Sequence, residues 1–260
     1  MGKPFKIIPV LDLKEGLVVR GVRGQREQYR PVQSSLTSSA GFVDVLQAFY
    51  EQYGLTEFYI ADLDAITSAG RKNHFDLLAG RQKVGGFFPS LMLDAGVRDA
   101  GSIKEIAGTG VEKIIIGTET LFSLEALAEI INICGPDKLM VSIDIRDTRI
   151  VSPVPELASL APPEAIRVVR QKGIREFILV QISQVGSREG VDRALVEACL
   201  QELGTGEASK GTLFLGGGIS GYDDLQWLSR SGAGGALVAT ILHQKLLDRE
   251  KVRALTMPEQ

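Results

Sequence analysis

Two aspartates follow apolar runs of the length of buried strands, one in each half of the chain. Asp12 follows FKIIPVL and Asp144 follows LMVSI. Two carboxylates separated by the width of a substrate divide the work of proton transfer, because one takes a proton while the other gives one. We therefore treat this pair as the candidate acid–base catalysts. The alternative for each aspartate is a helix N-cap or a salt bridge in a loop.

A second candidate site lies in residues 213–240. An apolar run there ends in three successive glycines, a helical pattern follows, and a second apolar run comes after it. Bare backbone N–H groups next to a helix N-terminus suit a phosphate group. The residues expected to bind the phosphate are Gly216, Gly217, Gly218, Ser220, Ala239 and Thr240.

Residues 95–118 repeat the pattern of residues 217–240. The two segments align without a gap, with Gly96 on Gly218 and Thr118 on Thr240. Their offset is close to half the chain length, so an internal duplication is the economical explanation. The alternative is a chance likeness between two βα units of one fold.

Eight apolar runs alternate with helical patterns along the chain. This rhythm predicts an α/β fold, a (β/α)8 TIM barrel with half-barrel internal duplication, whose site lies at the carboxyl ends of the strands. A doubly wound open sheet is the alternative. No composition break marks a linker, so residues 1–260 are predicted to form one domain with half-barrels of about 1–134 and 135–260. We expect a closing helix near residues 242–247, a weak helix over 74–81, and a small hairpin within the basic loop 14–30.

Composition narrows the function classes. The formal charge of −3 and the pI near 5.6 give no basic bias, so nucleic acid is not an expected partner. No targeting segment or bilayer-length apolar run occurs, which predicts a cytoplasmic protein without membrane contact. Cys134 and Cys199 lie in apolar helical patterns and are expected to be reduced core thiols. His74 and His243 lack neighbours at metal-ligand spacing, so no metal site is expected.

An ordered set of segments resembles the barrels of histidine biosynthesis. The segments are IPVLDLKEGLVVRGVRG, IADLDA, DAGVRD, IIIGT, SIDIRD, GGGIS and ALVAT. That family contains ProFAR isomerase and the cyclase subunit of imidazole glycerol phosphate synthase. The opening segment and SIDIRD are more similar to the isomerase.

The resemblance implies an Amadori-type aldose-to-ketose rearrangement of an aminated ribose phosphate. Asp12 matches the family's general base and Asp144 its general acid, and the chemistry needs neither a metal nor a redox cofactor. Two phosphate sites, one per half-barrel, are implied, with Gly96, Gly117 and Thr118 in the first. The expected partner is a small phosphorylated metabolite, bound by a monomer or a homodimer.

Several positions depart from the family pattern. Val180 and Gln181 stand where the family has a Thr-Asp pair, and the following loop, residues 183–187, lacks the usual acidic and threonine residues. In the first half Asp94 replaces a glycine, and Glu119 brings a carboxylate close to the implied phosphate, which is repulsive. Arg98 is a candidate to offset that charge, with a solvent-facing helix residue as the alternative.

Two further residues are candidate substrate ligands. Gln181 lies at a strand end, and Arg20 lies in the basic loop with Lys14 and Arg23. For each basic residue the alternative is a solvated side chain.

Three interpretations of function remain open within this barrel. The first is a working ProFAR isomerase. The second, which we favour, is a paralogue whose substrate carries one phosphate; such paralogues are associated with methanopterin-linked one-carbon metabolism. The third is a catalytically silent barrel that binds a phosphorylated ligand or serves in assembly. Retention of both Asp12 and Asp144 argues against the third.

Overall fold

Eight parallel strands close into a barrel within residues 4–79, 84–204 and 211–257, which the computed structural model describes. Each strand pairs with the next along the chain, and β8 pairs with β1 from Lys6 opposite Gly235 to Pro9 opposite Val238. The predicted (β/α)8 barrel is confirmed, whereas its division into half-barrels stays a prediction. The strands are β1 Lys6–Lys14, β2 Glu57–Asp62, β3 Ser90–Asp94, β4 Lys113–Gly117, β5 Leu139–Arg146, β6 Glu176–Gln181, β7 Thr212–Gly216 and β8 Gly235–Val238.

Helices surround this barrel. Several begin at a side chain that accepts a backbone N–H, as Asp99, Ser123 and Asp192 do, which satisfies otherwise unpaired first-turn donors. The α-helices are Phe42–Tyr53, Leu63–Ser68, Phe75–Ala79, Ala100–Ala107, Leu124–Cys134, Pro155–Ala158, Pro162–Gln171, Arg193–Leu203, Tyr222–Arg230, Thr240–His243 and Arg249–Thr256.

The barrel interior is filled by one large side chain from each strand. Side chains alternate between the two faces of a strand, so one set points inward while the other packs against the helices. The inward set fills the lower barrel, below the carboxyl ends of the strands. Its members are Ile8, Tyr59, Met92, Ile115, Met140, Ile178, Phe214 and Leu237.

The basic loop after β1 forms a larger structure than expected. Leu17–Arg20 pairs antiparallel with the end of β1 and with Arg30–Pro31, and a 3-10 turn spans Arg26–Gln28. The reversal occurs at Glu15 and Gly16, which both have positive φ. The loop therefore folds back over the barrel mouth. A second short strand, Arg149–Ile150, similarly extends β5.

The closing helix was predicted in the wrong place. Residues 242–247 contain only the end of Thr240–His243 and a turn in which Lys245 has a φ of 53°. The closing helix is Arg249–Thr256, which begins where the Asp248 carboxylate accepts the Lys251 N–H at 2.7 Å. Leu242 is buried within Thr240–His243 and Leu247 is buried after the turn, which explains the misleading apolar pattern. Of the weak helix over 74–81, Phe75–Ala79 is helical, His74 precedes the helix, and residues 80 and 81 lie outside the described residues.

Candidate active site

A cavity of about 230 Å³ opens at the carboxyl ends of the strands. Asp12 from β1 and Asp144 from β5 both line it, on opposite sides of the barrel. The structure thus brings the two aspartates of the predicted acid–base pair to one cavity. Asp94 and Glu119 line the same cavity.

Asp144 is almost fully buried and firmly held. Its carboxylate accepts hydrogen bonds from the Ser142 hydroxyl at 2.8 Å and from the Glu119 N–H at 3.4 Å, while its own N–H donates to the Thr118 hydroxyl oxygen at 3.0 Å. Burial, and next the negative charge of Glu119, raise the pKa of Asp144 to about 8. A protonated carboxyl at neutral pH is suited to donate a proton.

Asp12 faces the cavity under the β1 loop. An added Cβ on Gly21 would lie only 2.9 Å from the Asp12 carboxylate, so a bare glycine permits this approach. Burial raises the pKa of Asp12 to about 7, and the positive charge of Arg26 limits the rise. Asp12 is therefore close to half ionised at neutral pH, which suits a general base.

Asp94 is a third buried acid that the sequence marked only as a departure from a glycine turn. It accepts the Gly96 N–H at 3.0 Å and the Tyr59 hydroxyl at 3.2 Å. Burial raises its pKa to about 6. Its oxygen and that of Asp144 approach each other across Gly117, where an added Cβ would lie 3.8 Å and 3.1 Å from them.

Arg26 and Glu119 form an ion pair across the cavity. Arg26 lies on the 3-10 turn of the β1 loop, and Glu119 follows Thr118 after β4. Sequence reasoning missed Arg26 altogether, because nothing in the spacing of a long basic loop shows which residue reaches the barrel mouth. The side chain of Arg20, which was predicted to contact substrate, also lines the cavity.

The second-half glycine turn opens onto the cavity. Gly216, Gly217, Gly218, Ala239 and Thr240 all line it. Within the described residues, the N–H groups of Gly217, Ala239 and Thr240 have no hydrogen-bond acceptor. These three groups are available to an anion.

One residue of that turn and one residue after it already form hydrogen bonds within the protein. The Gly218 N–H donates to the carbonyl oxygen of Gln184 at 3.0 Å. Ser220 donates its N–H and its hydroxyl to one oxygen of Asp224, at 2.9 Å and 2.5 Å. Arg188, which the sequence did not single out, donates to the Ser220 carbonyl at 3.3 Å and lines the cavity beside the turn. The phosphate-binding role of Ser220 stays a prediction.

The first-half turn is closed. Gly96, Gly117 and Thr118 are buried and do not line the cavity. The Gly96 N–H donates to Asp94, and the Thr118 N–H donates to the Ser142 carbonyl at 2.9 Å. The role of this turn in binding phosphate also stays a prediction.

Arg98 does not face a bound anion. Its guanidinium donates to the carbonyls of Gly96 and Ile66, at 3.0 Å and 2.7 Å. It therefore fixes the closed turn and does not offset the charge of Glu119.

At the end of β6, Val180 and Gln181 have different environments. Val180 lines the cavity with an apolar side chain. Gln181 is 8% exposed, does not line the cavity, and its side-chain oxygen has no hydrogen-bond partner in the part of the chain that the structure describes. The structure thus puts the substituted hydroxyl position, not Gln181, next to the substrate space.

The histidines and the remaining acids after β2 form structural contacts. His74 lies beside Asp62 and Asp64, at 3.0 Å and 3.4 Å, and accepts the Gly16 N–H at 2.8 Å. His243 contacts the Ser34 hydroxyl at 2.9 Å. Over the described ranges, no group of three or more His, Cys, Asp or Glu residues is arranged to hold a metal ion. None of the helices in those ranges is long and apolar enough to cross a membrane.

A family model described as histidine biosynthesis protein matches residues 6–248. The chain belongs to this family. The resemblance inferred from the ordered motifs is thereby confirmed, and the match spans all eight barrel strands.

Relatives in the histidine biosynthesis family include proteins with and without a named activity. An uncharacterized protein of Methanocaldococcus jannaschii is 30% identical over 95% of this chain and 97% of its own length. Proteins of Methanothrix thermoacetophila and Thermus thermophilus are 28% and 26% identical, over 94% and 92% of this chain and 95% of each relative. Both are named as the phosphoribosyl-(phosphoribosylamino)methylideneamino-imidazole-carboxamide isomerase, which is ProFAR isomerase. The barrel is therefore isomerase-like.

Proposed function

We propose that the protein is an aldose–ketose isomerase that acts on a phosphorylated sugar or aminoribose substrate by acid–base chemistry. The observation that carries this proposal is the pair Asp12 and Asp144 on opposite sides of one cavity. Their pKa values, about 7 and about 8, suit a base and an acid at neutral pH. Membership of a family with named isomerases supports the same reaction class.

Substrate binding would begin at the second-half turn. The N–H groups of Gly217, Ala239 and Thr240, which have no acceptor among the described residues, would hold one phosphate, and Arg188 lines the cavity with them. A phosphate fixed there leaves the sugar to extend toward Asp12 and Asp144. Holding the reacting carbon between two fixed carboxyl groups supplies much of the rate enhancement through orientation.

The proposed reaction moves protons and changes no oxidation state overall. In a substrate with an amine on C1, Asp144 protonates the ring oxygen of the sugar; the bond between that oxygen and C1 breaks while the nitrogen lone pair forms a C1–N double bond, which leaves an iminium cation at C1. Asp12 removes the proton from C2, and the electron pair of that C–H bond forms the C1–C2 double bond of an enolamine. Loss of the C2 hydroxyl proton and protonation of C1 then yield the ketose.

We infer that the substrate differs from that of ProFAR isomerase. The open turn of the second half offers one phosphate site, and Val180 replaces a hydroxyl next to the cavity. A sugar phosphate with a single phosphate group fits this arrangement. Phosphorylated metabolites of methanopterin-linked one-carbon metabolism are the first candidates to test.

The test combines direct assay with two conservative variants. Purified protein is incubated with ProFAR and with aminated aldose monophosphates, and ketose formation is measured; rescue of a histidine auxotroph is scored beside it. Turnover that Asp12→Asn and Asp144→Asn each reduce at least about a hundredfold supports the isomerase. Ligand affinity without turnover across these substrates would instead establish the silent binding barrel.

A further inference from the structure

The cavity has two ends of opposite electrostatic character. The second-half end presents free N–H groups and Arg188, whereas the first-half end presents the carboxylate of Glu119. The repeat explains the position of Glu119, because it directly follows Thr118, as Ile241 follows Thr240 in the second half. An apolar residue at one end is thus matched by an acidic residue at the other.

Arg26 fixes the Glu119 carboxylate at that end. The two side chains are ion-paired and partly buried, with 35% and 22% of their side-chain surfaces exposed. The Glu119 N–H meanwhile donates to Asp144 at 3.4 Å, so its backbone offers nothing to an incoming anion. One terminal nitrogen of Arg26 donates to Glu119, and the negative charge of Glu119 offsets the attraction of Arg26 for a substrate anion.

The neighbouring hydrogen-bond donors also have acceptors within the protein. Gly96 and Thr118 donate their N–H groups within the protein, and the Arg98 guanidinium donates to two carbonyls. A phosphate brought to this end meets a carboxylate and finds no free partner among these residues.

We propose that Glu119, held by Arg26, is the specificity-determining residue that excludes a second phosphate from this end of the cavity. The inference rests on the proposed function, since it assumes that the second-half turn holds the first phosphate. It goes further by making the choice of substrate depend on one ion pair. Glu119→Gln frees Arg26, and the same end then attracts an anion.

The experiment compares two probes by isothermal titration calorimetry at neutral pH. Ribose 5-phosphate and ribulose 1,5-bisphosphate report the affinity for one and for two phosphates. The native protein is expected to prefer the monophosphate. Glu119→Gln is expected to raise relative affinity for the bisphosphate about tenfold, because repulsion is replaced by attraction from Arg26. The double variant Glu119→Gln with Arg26→Gln is expected to lose that gain.

Glu27→Gln is the matched control. Glu27 lies exposed on the same 3-10 turn as Arg26 and does not line the main cavity. Glu27→Gln changes the net charge of the protein by the same amount as Glu119→Gln. A gain in this control equal to that of Glu119→Gln would overturn the proposal, as would an unchanged probe ratio in Glu119→Gln. Circular dichroism checks that each variant is folded.

Failure of this inference and failure of the proposed function give different results. Monophosphate binding with an unchanged probe ratio in Glu119→Gln overturns the inference alone. The predicted ratios without isomerase turnover in the native protein overturn the reaction alone. If the native protein binds neither probe, the phosphate site and the inference built on it are both wrong.

Discussion

The two glycine turns of this barrel share a sequence pattern but differ in what their backbones do. After β7 and β8, Gly217, Ala239 and Thr240 line the cavity, and their N–H groups have no acceptor in the described structure. After β3 and β4, the N–H groups of Gly96 and Thr118 are bound within the protein and buried. The second-half turn therefore has N–H donors available for the proposed phosphate, whereas the first-half turn uses the N–H groups of Gly96 and Thr118 within the protein.

The difference arises from side chains placed at equivalent positions. Asp94 stands where the second half has Gly216, and its carboxylate accepts the N–H of its own turn. Thr118 continues the pairing of β4 with β5 by one residue, whereas β8 stops at Val238 and leaves Thr240 unpaired. A donor that has an internal acceptor is not available to a ligand, so these two local differences remove the Gly96 and Thr118 N–H groups from ligand binding.

The strongest test of this contrast is a matched pair of glycine substitutions. Gly218 and Gly96 have φ values of 78° and 68°, and an added Cβ would lie 2.6 Å from the Gly190 oxygen or 2.8 Å from the Ile66 Cα. Both Gly218→Ala and Gly96→Ala are expected to lower the free energy of unfolding by about 2 kcal/mol, because both add backbone strain and overlap. Only Gly218→Ala is expected to weaken ribose 5-phosphate binding, by about tenfold, since it displaces the open turn.

Thermal denaturation and calorimetric titration measure the two effects separately. Equal loss of ribose 5-phosphate affinity in Gly96→Ala would contradict the contrast, because the first-half turn would then also contribute to ligand binding.

A threonine pair sharpens the contrast with a smaller effect. Thr118→Val removes the acceptor of the buried Asp144 N–H, so the free energy of unfolding is expected to fall by about 1.5 kcal/mol. Thr240 makes no side-chain hydrogen bond within the residues described, so Thr240→Val is expected to keep its stability and to bind ribose 5-phosphate a few times more weakly. Chemical denaturation of both variants checks the first part. A reversed order of stability would show that the two threonines have been assigned the wrong roles.

The fold and the meeting of the two candidate acid–base residues were predictable because they depend on local sequence. Apolar runs that end in Asp12 and Asp144 define strands, and side chains at the carboxyl ends of barrel strands meet at one face. The order of the strands along the chain was therefore sufficient to predict that these two aspartates lie at the same cavity.

The contacts that the β1 loop makes above the cavity were not predictable in the same way. Arg26 reaches Glu119 only because the β1 loop folds back as an added strand and a 3-10 turn, and Arg23 then donates its N–H to the Val185 carbonyl at 2.9 Å. These contacts join loops far apart in sequence, and no periodicity encodes them. The closing helix was misplaced for a related reason. Leu242, in the short helix Thr240–His243, and Leu247, after the turn that follows it, are both buried and mimic one helical face.

The pH dependence of turnover tests the electrostatic side of the contrast. The rate is expected to rise with pH as Asp12 ionises near pH 7 and to fall as Asp144 loses its proton near pH 8. Asp94→Asn removes a negative charge that raises both pKa values, so both limbs of the profile are expected to move to lower pH by about half a unit. Profiles of kcat/KM for the native protein and the variant measure this shift. Limbs that stay in place would show that Asp94 does not act on the pair.

The smallest effect expected concerns the stability cost of Asp94. Its pKa is about 6 in the folded protein and near 3.8 when unfolded, so the folded state holds a proton that the unfolded chain releases between these values. Stability is therefore lost as pH rises through this window, and the ionised group destabilises the fold at neutral pH. Asp94→Asn is expected to raise the free energy of unfolding by about 1 kcal/mol at pH 7, since the lost acceptor for Tyr59 or Gly96 offsets part of the gain. Denaturation at pH 4 and pH 7 should show the gain only at the higher pH; an equal gain at both would mean that packing, not charge, is responsible.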